Sequence, residues 1–247
     1  MAELPQSLEE AIAQSREATL AAIANGCSRL QVELNFPEIA LQAQSIAQQF
    51  IPVFEDRISH LKVFFPDAGA AALARRDWGE VPFKIQDIGM GRTPIQNKIE
   101  PEDEVFLLVD LSAVEVGEVE KLCNAAGSRP VILLIPHLED AATVGIGYTA
   151  RQLRERLLNT LESCYYVKPV EGAALFRCYP SPWQVWLQNS ENYNLIAELP
   201  KKPVGDELDR ILFNATQPNS ANAGDAPRPK KPGLFTNMER FLRALSR

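Results

Sequence analysis

Apolar residues first recur at helical spacing between Leu8 and Ala24, where Ala11, Ile12, Ala18, Ala22 and Ile23 gather near one face. Ser7 and Glu10 form a capping box ahead of this stretch, and Asn25-Gly26 stops it. The period then changes to two. Arg29–Asn35 alternates apolar and polar residues, as a half-buried strand does. Pro37 can open a second helix whose stripe is Ile39, Ala43, Ile46, Ala47 and Phe50. His60–Pro66 predicts a short strand, Asp67 a cap on an Ala-rich helix over Ala68–Arg76, and Phe83–Ile88 another strand. Glu104–Leu111 and Arg129–Pro136 are near-continuous apolar runs, which suit central strands covered on both faces. Val114–Ala126, closed by Gly127, predicts the helix between them and completes a βαβ unit.

Thr149–Ser163 predicts an amphipathic helix, with Leu153, Leu157 and Leu161 at i, i+4 and i+8. The pattern shifts again after it. Cys164–Val170, Ala173–Tyr179, Trp183–Gln188 and Tyr193–Leu199 are short β-type runs separated by turn residues, an antiparallel meander. Asp206 can cap a last helix over Glu207–Phe213. The expected fold is α/β: a Rossmann-like, mostly parallel sheet flanked by helices, with a C-terminal antiparallel meander. The expected division is an α/β domain over 1–213, a flexible linker over 214–233 and a basic amphipathic helix over 234–247.

Composition adds limits. The 247 residues are 46% hydrophobic and 23% charged, as in globular proteins, and the net charge of −7 argues against nucleic acid as a partner. The charge is segregated. Residues 214–247 hold six basic residues against two acids, a net of +4, which leaves −11 on the first 213 residues. A basic tail of this kind suits a solvated surface, an acidic partner or an anionic lipid surface. In that tail Leu234, Met238, Phe241, Leu242 and Leu245 fall on one helical face beside Phe235, while Arg240, Arg243 and Arg247 populate the other. An isolated helix of this length is marginal in water, so the stripe calls for a sink: the body of the protein, a partner's groove or a membrane surface. No apolar run approaches the length of a transmembrane helix, and the first residues have no signal-peptide pattern. A cytoplasmic, cytosol-like compartment is expected. Cys27, Cys123, Cys164 and Cys178 lack metal or redox spacing and are expected to be buried structural thiols.

Candidate chemistry is sparse. Gly145-Ile-Gly147-Tyr-Thr-Ala150 matches a G-x-G-x-x-A phosphate turn ahead of a helix, and Arg151 would add positive charge. Eight residues separate it from the preceding strand, whereas a dinucleotide fingerprint follows its strand directly. His137 lies in the same loop, at the expected carboxyl edge of the sheet, and could serve as a base or a ligand contact. Asp110 ends a buried strand, where a carboxylate can bind metal, but no second carboxylate is placed with it. The loop at Gly89 and Gly91 lacks the Lys-Ser or Lys-Thr of a P-loop. Trp183 and Trp186 fall on opposite faces of a strand, one buried and the other available for contact. No cofactor or metal set and no catalytic constellation emerges.

The order of segments carries a resemblance. P-Q-S-L-E-E-A-I-A-Q-S, R-L-Q-V-E-L-N-F-P-E, V-F-F-P-D-A-G-A-A-A-L-A-R-R, R-P-V-I-L-L-I-P-H-L-E-D and A-L-F-R-C-Y-P-S-P-W-Q-V-W occur in sequence over residues 4–200. Together they resemble the uncharacterised-domain family of cyanobacteria and chloroplasts that includes the plant Low Photosystem II Accumulation 3 type factors. The resemblance implies a non-enzymatic protein near thylakoids. Its partners would be photosystem II core or antenna proteins or other assembly factors, with peripheral membrane contact. A similar domain is fused to chloroplast adenylate kinases, which keeps a regulatory or nucleotide-linked role open, and the α/β topology with the G-x-G-x-x-A turn makes a small-molecule or nucleotide-binding enzyme or sensor using the 137–151 loop the alternative. The family supplies no catalytic residues.

Overall fold

The structure is a computed structural model that describes residues 3–37, 39–89, 93–138, 148–189 and 192–216. Among these residues nine strands form one sheet: β1 (Arg29–Leu34), β2 (Leu61–Phe65), β3 (Lys84–Asp87), β4 (Val105–Val109), β5 (Val131–Leu134), β6 (Glu162–Val170), β7 (Ala173–Cys178), β8 (Trp183–Asn189) and β9 (Asn192–Leu199). Their order across the sheet is β3-β2-β4-β5-β1-β6-β7-β8-β9. Every pairing from β3 to β6 is parallel, and β6 to β9 is an antiparallel meander. The expected α/β build is present, with β1 seated between β5 and β6.

Helices cover both faces because the central strands are apolar on both. Along β2, Val63 and Phe65 point into one core cluster and Phe64 into the other, as strand alternation requires. On the first face lie α1 (Leu8–Ala24), α2 (Ala43–Phe50) and α3 (Ala68–Trp78), which bury Ala11, Ile12, Ala18 and Ala22, then Ile46 and Phe50, then Ala71 and Ala74. On the second lie α4 (Val116–Ala126) and α5 (Tyr148–Arg156), with Leu122 of α4 and Leu157, just past α5, fully buried in one cluster with Phe106 and Leu133. A smaller third cluster, Tyr166, Leu175, Trp183 and Val185, lies under α6 (Asp206–Thr216), whose Leu208, Ile211 and Leu212 rest on it.

The helix starts follow the sequence. Glu10 N donates to Ser7 Oγ at 3.1 Å, and Glu10 Oε2 accepts from the Gln6 amide at 2.7 Å, so the box reaches one residue further back than expected. Ala70 N donates to Asp67 Oδ1 at 2.9 Å. Gly26, with φ +84°, takes the left-handed turn after α1 that a side chain would resist.

Three element boundaries differ from the sequence reading. The helix expected over 149–163 ends at Arg156; a 3-10 turn at Leu158–Thr160 follows, and β6 already begins at Glu162. Pairing of Leu30 with Glu162 draws that segment into the sheet, and the tertiary partner outweighs the leucine spacing. The region after α2 is a 3-10 stretch, Ile51–His60, broken at Phe54 and Arg57. Asn214–Thr216, expected to open the linker, belong to α6. The rest of that linker and the helix expected over 234–247 lie outside the described residues.

Among the described residues one charged side chain is fully buried. Lys62, on the second face of β2, is 0% exposed, and its Nζ donates to Asp103 Oδ2 at 2.6 Å and to the Lys98 carbonyl at 2.7 Å. Asp103 is itself 4% exposed and accepts from the Glu100 amide at 2.7 Å. An ammonium so placed is tolerable only because its hydrogen-bonding and charge needs are met.

Candidate functional site

The topology marks one edge of the sheet. The chain leaves β2 for α3 on the first face and leaves β4 for α4 on the second. Where two neighbouring strands send their connections to opposite faces, a crevice opens beyond their carboxyl ends, and α/β proteins bind ligands there. Asp110 sits at that point.

Its backbone is unusual. Asp110 has φ +56° and Ile135, at the same level on β5, has φ +55°. Asp adopts the left-handed region at modest cost, but a β-branched residue does so only when its surroundings impose it. Here the imposition is visible. Asp110 N donates to the Leu134 carbonyl at 2.9 Å, Ile135 N to the Val32 carbonyl at 2.9 Å, and His137 N to the Leu111 carbonyl at 2.7 Å. Ile135 is also buried in the first core cluster. The two strained residues turn the chains so that Ser112 and His137 form an isolated parallel bridge.

The result is a side-chain constellation. His137 Nε2 lies 3.3 Å from Asp110 Oδ1, with side-chain exposures of 44% and 30%. Burial pushes the Asp110 carboxyl above its ordinary value; His137 opposes that shift and the neighbouring Glu115 charge adds to it. Ser112 donates from both its hydroxyl, at 2.7 Å, and its amide, at 2.8 Å, to Glu115 Oε2. Ser112-x-x-Glu115 therefore closes a turn just before α4, whose N-cap is Glu115 and whose first turn takes no side-chain capping bond from it. A carboxylate that orients an accessible imidazole is an arrangement able to take up a proton or to hold a polar ligand group. The Ser112 hydroxyl is directed to Glu115 and not to His137, as a serine triad would require.

Of the loop residues singled out in the sequence, His137 reaches this edge. Arg151 is exposed on α5, while Gly145 and Gly147 lie outside the described residues. The sequence reading named Asp110 and His137 separately and did not pair them. It passed over Ser112 and Glu115, although their S-x-x-E spacing is a helix-start signal. His60 is structural, its Nδ1 2.9 Å from the Glu102 carbonyl. Trp183 is buried in the third cluster and Trp186 is half-buried against the first, on opposite faces as expected. Cys123 and Cys164 are buried as expected, whereas Cys27 and Cys178 are only half-buried; burial pushes the Cys123 and Cys178 thiols up to about 11 and Cys164 up to about 12. The tail residues Leu234, Phe235, Met238, Arg240, Phe241, Leu242, Arg243 and Leu245 lie outside the described residues. Among the described residues, no group of three or more His, Cys, Asp or Glu side chains is placed to hold a metal ion, and no helix is long and apolar enough to cross a membrane.

Comparison with known families adds one finding. The model of a domain of unknown function, DUF1995, matches residues 5–210, from the residues just before α1 into α6. No solved structure matches the chain. The chain belongs to the DUF1995 family.

Proposed function

We propose that this DUF1995 protein is a non-enzymatic photosystem II assembly or accumulation factor that acts at the thylakoid surface through protein–protein contacts. The reading is carried by one overlap: the family match over 5–210 spans nearly the same body as the ordered motifs that resemble the Low Photosystem II Accumulation 3 type factors. The charge distribution suggests how it works. The first 213 residues carry −11, and the tail beyond them carries +4 with an apolar stripe. In this reading the tail, with Arg240 and Arg243 beside Met238, Phe241 and Leu242, is a hook for an acidic partner or an anionic membrane surface, and the body selects the client.

The test is an affinity pull-down from thylakoid-containing lysate with the full chain and with a version ending at Thr216, which keeps α6 whole. Photosystem II subunits recovered by the full chain and lost with the shorter one support the whole reading. Equal recovery by both moves recognition to the body and removes the hook. Recovery by neither overturns the proposal.

A second reading rests on the Asp110–His137 pair at the strand crossover: a small-molecule or nucleotide sensor at the carboxyl edge of β4 and β5. Calorimetry and melting curves with a nucleotide panel test it. Binding that disappears in His137→Ala supports this reading, and no heat or melting shift across the panel ends it.

A further inference from the structure

Three side chains seat α6 on the sheet. Leu208, Ile211 and Leu212 are half-buried on the third cluster, while Glu207, Asp209, Arg210 and Phe213 are exposed. No residue of this helix is fully buried. Spacing of i, i+3 and i+4 puts the three on one face, which is how an amphipathic helix lies in an apolar groove. The floor of the seat is firmer than its occupant. Tyr166, Leu175, Trp183 and Val185 are buried, and the rings of Tyr166 and Trp183 pack edge to face with 5.0 Å between centroids.

The helix hangs from a defined point. Lys202 Nζ lies 3.7 Å from Glu33 Oε1 and 4.3 Å from the Tyr166 ring centroid, so an ion pair and a cation–π contact hold this residue on the sheet. Between that anchor and α6 stands Gly205, with a left-handed φ of +49°. A pivot at such a position releases α6 and leaves Lys202 in place.

The sequence carries the same docking pattern twice. Leu208-Asp209-Arg210-Ile211-Leu212 is matched thirty residues on by Met238-Glu239-Arg240-Phe241-Leu242. The three positions that face the cluster are apolar in both, and the acid and the arginine between them recur. The agreement extends further along the outward side, where Glu207 corresponds to Asn237 and the exposed Phe213 to Arg243. Leu245, seven residues after Met238, lengthens the stripe by one more turn. Charge also favours a return of the tail to the body, since the tail carries +4 and the first 213 residues −11. A coil of about thirty residues spans about 30 Å, and tethering at that range gives an effective concentration of about 1 mM.

We infer that the tail, over Met238–Leu245, is a second occupant of the α6 seat and exchanges with α6 on the third cluster of its own chain. While the tail holds the seat, its apolar stripe is covered and α6 is displaced. While α6 holds the seat, the stripe is available to a target outside the chain. The seat therefore gates the tail. The exchange goes beyond the proposed function and is a property of the isolated chain, so its test needs no client and stands or falls separately from the pull-down.

The test is amide hydrogen exchange of the full chain, read by mass spectrometry over 206–216 and 236–245. In the double variant Met238→Glu, Phe241→Glu the competitor is lost, and exchange over 206–216 is expected to slow at least about threefold. At an effective concentration of about 1 mM, a tail affinity of a few hundred micromolar gives that factor. Ile211→Glu expels α6 instead, and exchange over 236–245 is expected to slow by a similar factor. Unchanged exchange over 206–216 in the tail variant overturns the inference, as does a tail left unprotected in a folded Ile211→Glu protein. The tail substitutions lie outside the sheet and its clusters, so they decide the matter alone should Ile211→Glu not fold. Tail protection that grows with protein concentration assigns the seat to the tail of a second copy and overturns the exchange within one chain.

Discussion

Asp110→Asn should make the folded protein more stable at neutral pH. Asparagine accepts the left-handed backbone at φ +56° as readily as aspartate, so the turn after β4 is kept. What changes is the charge. Burial is the largest influence on this carboxyl and raises its pKa above the ordinary value; Glu115 acts in the same direction and His137 against it. The folded state therefore holds this proton more tightly than the unfolded state does. Stability from this group is fully present below the unfolded carboxylate value and is lost as pH rises through the raised folded value. At pH 7 the wild-type side chain is a half-buried anion whose partner, His137, is 44% exposed, and such pairs contribute about 0–1 kcal/mol. The substitution removes the buried charge, and the new carboxamide can still hydrogen-bond the imidazole. The expected gain is about 0.5–1 kcal/mol at pH 7, or roughly 1–4 °C in Tm for a domain of this size. Urea unfolding of both proteins from pH 3 to pH 8 checks it. The curves should converge in acid, where Asp110 is neutral in both states, and separate as pH rises. A loss above about 1 kcal/mol at pH 7, or a difference independent of pH, would refute the assignment of burial as the dominant influence on Asp110.

Three further outcomes follow from the packing. Asp103→Asn leaves the Lys62 ammonium buried, with Glu100 at 3.6 Å as the remaining acid, and should cost about 3 kcal/mol in urea unfolding; a cost below about 1 kcal/mol would mean that Glu100 replaces the pair. Truncation after Leu199 removes α6 and also Lys202, whose Nζ lies 4.3 Å from the Tyr166 ring centroid and 5.8 Å from that of Trp183. Binding of a hydrophobic dye should then rise as the third cluster is uncovered, and no increase would show that α6 is not its cover. At pH 8 iodoacetamide should label Cys27 well before Cys164, whose thiol burial holds at about 12, and denaturant should make all four equally reactive; peptide mapping that finds Cys164 labelled as fast as Cys27 in the native protein would contradict the burial.

Local chemistry was readable wherever it acts over a few residues. Ser7 and Glu10, Asp67, and Gly127 after α4 mark helix ends in the sequence, and the structure places them there. The runs at Val105–Val109 and Val131–Leu134 announce strands buried on two faces, and both are. Of the candidate site, only the individual residues Asp110 and His137 were visible. Their pairing depends on β4 and β5 lying side by side in register, and no local signal encodes that.

The sequence by itself determined the kinds of element, most of their ends and the layered α/β class, because capping, glycine turns and the hydrophobic period are short-range effects. Tertiary structure decided the rest. The seat of β1 between β5 and β6 shortened the leucine-spaced helix to Tyr148–Arg156. Contacts across distant segments balanced Lys62 with Asp103 and set His137 against Asp110. The order of strands left β3 and β9 as the outer strands. Each of these depends on which segments become neighbours, and that is settled by burying both faces of the whole sheet at once, a cooperative free energy that no window of sequence contains.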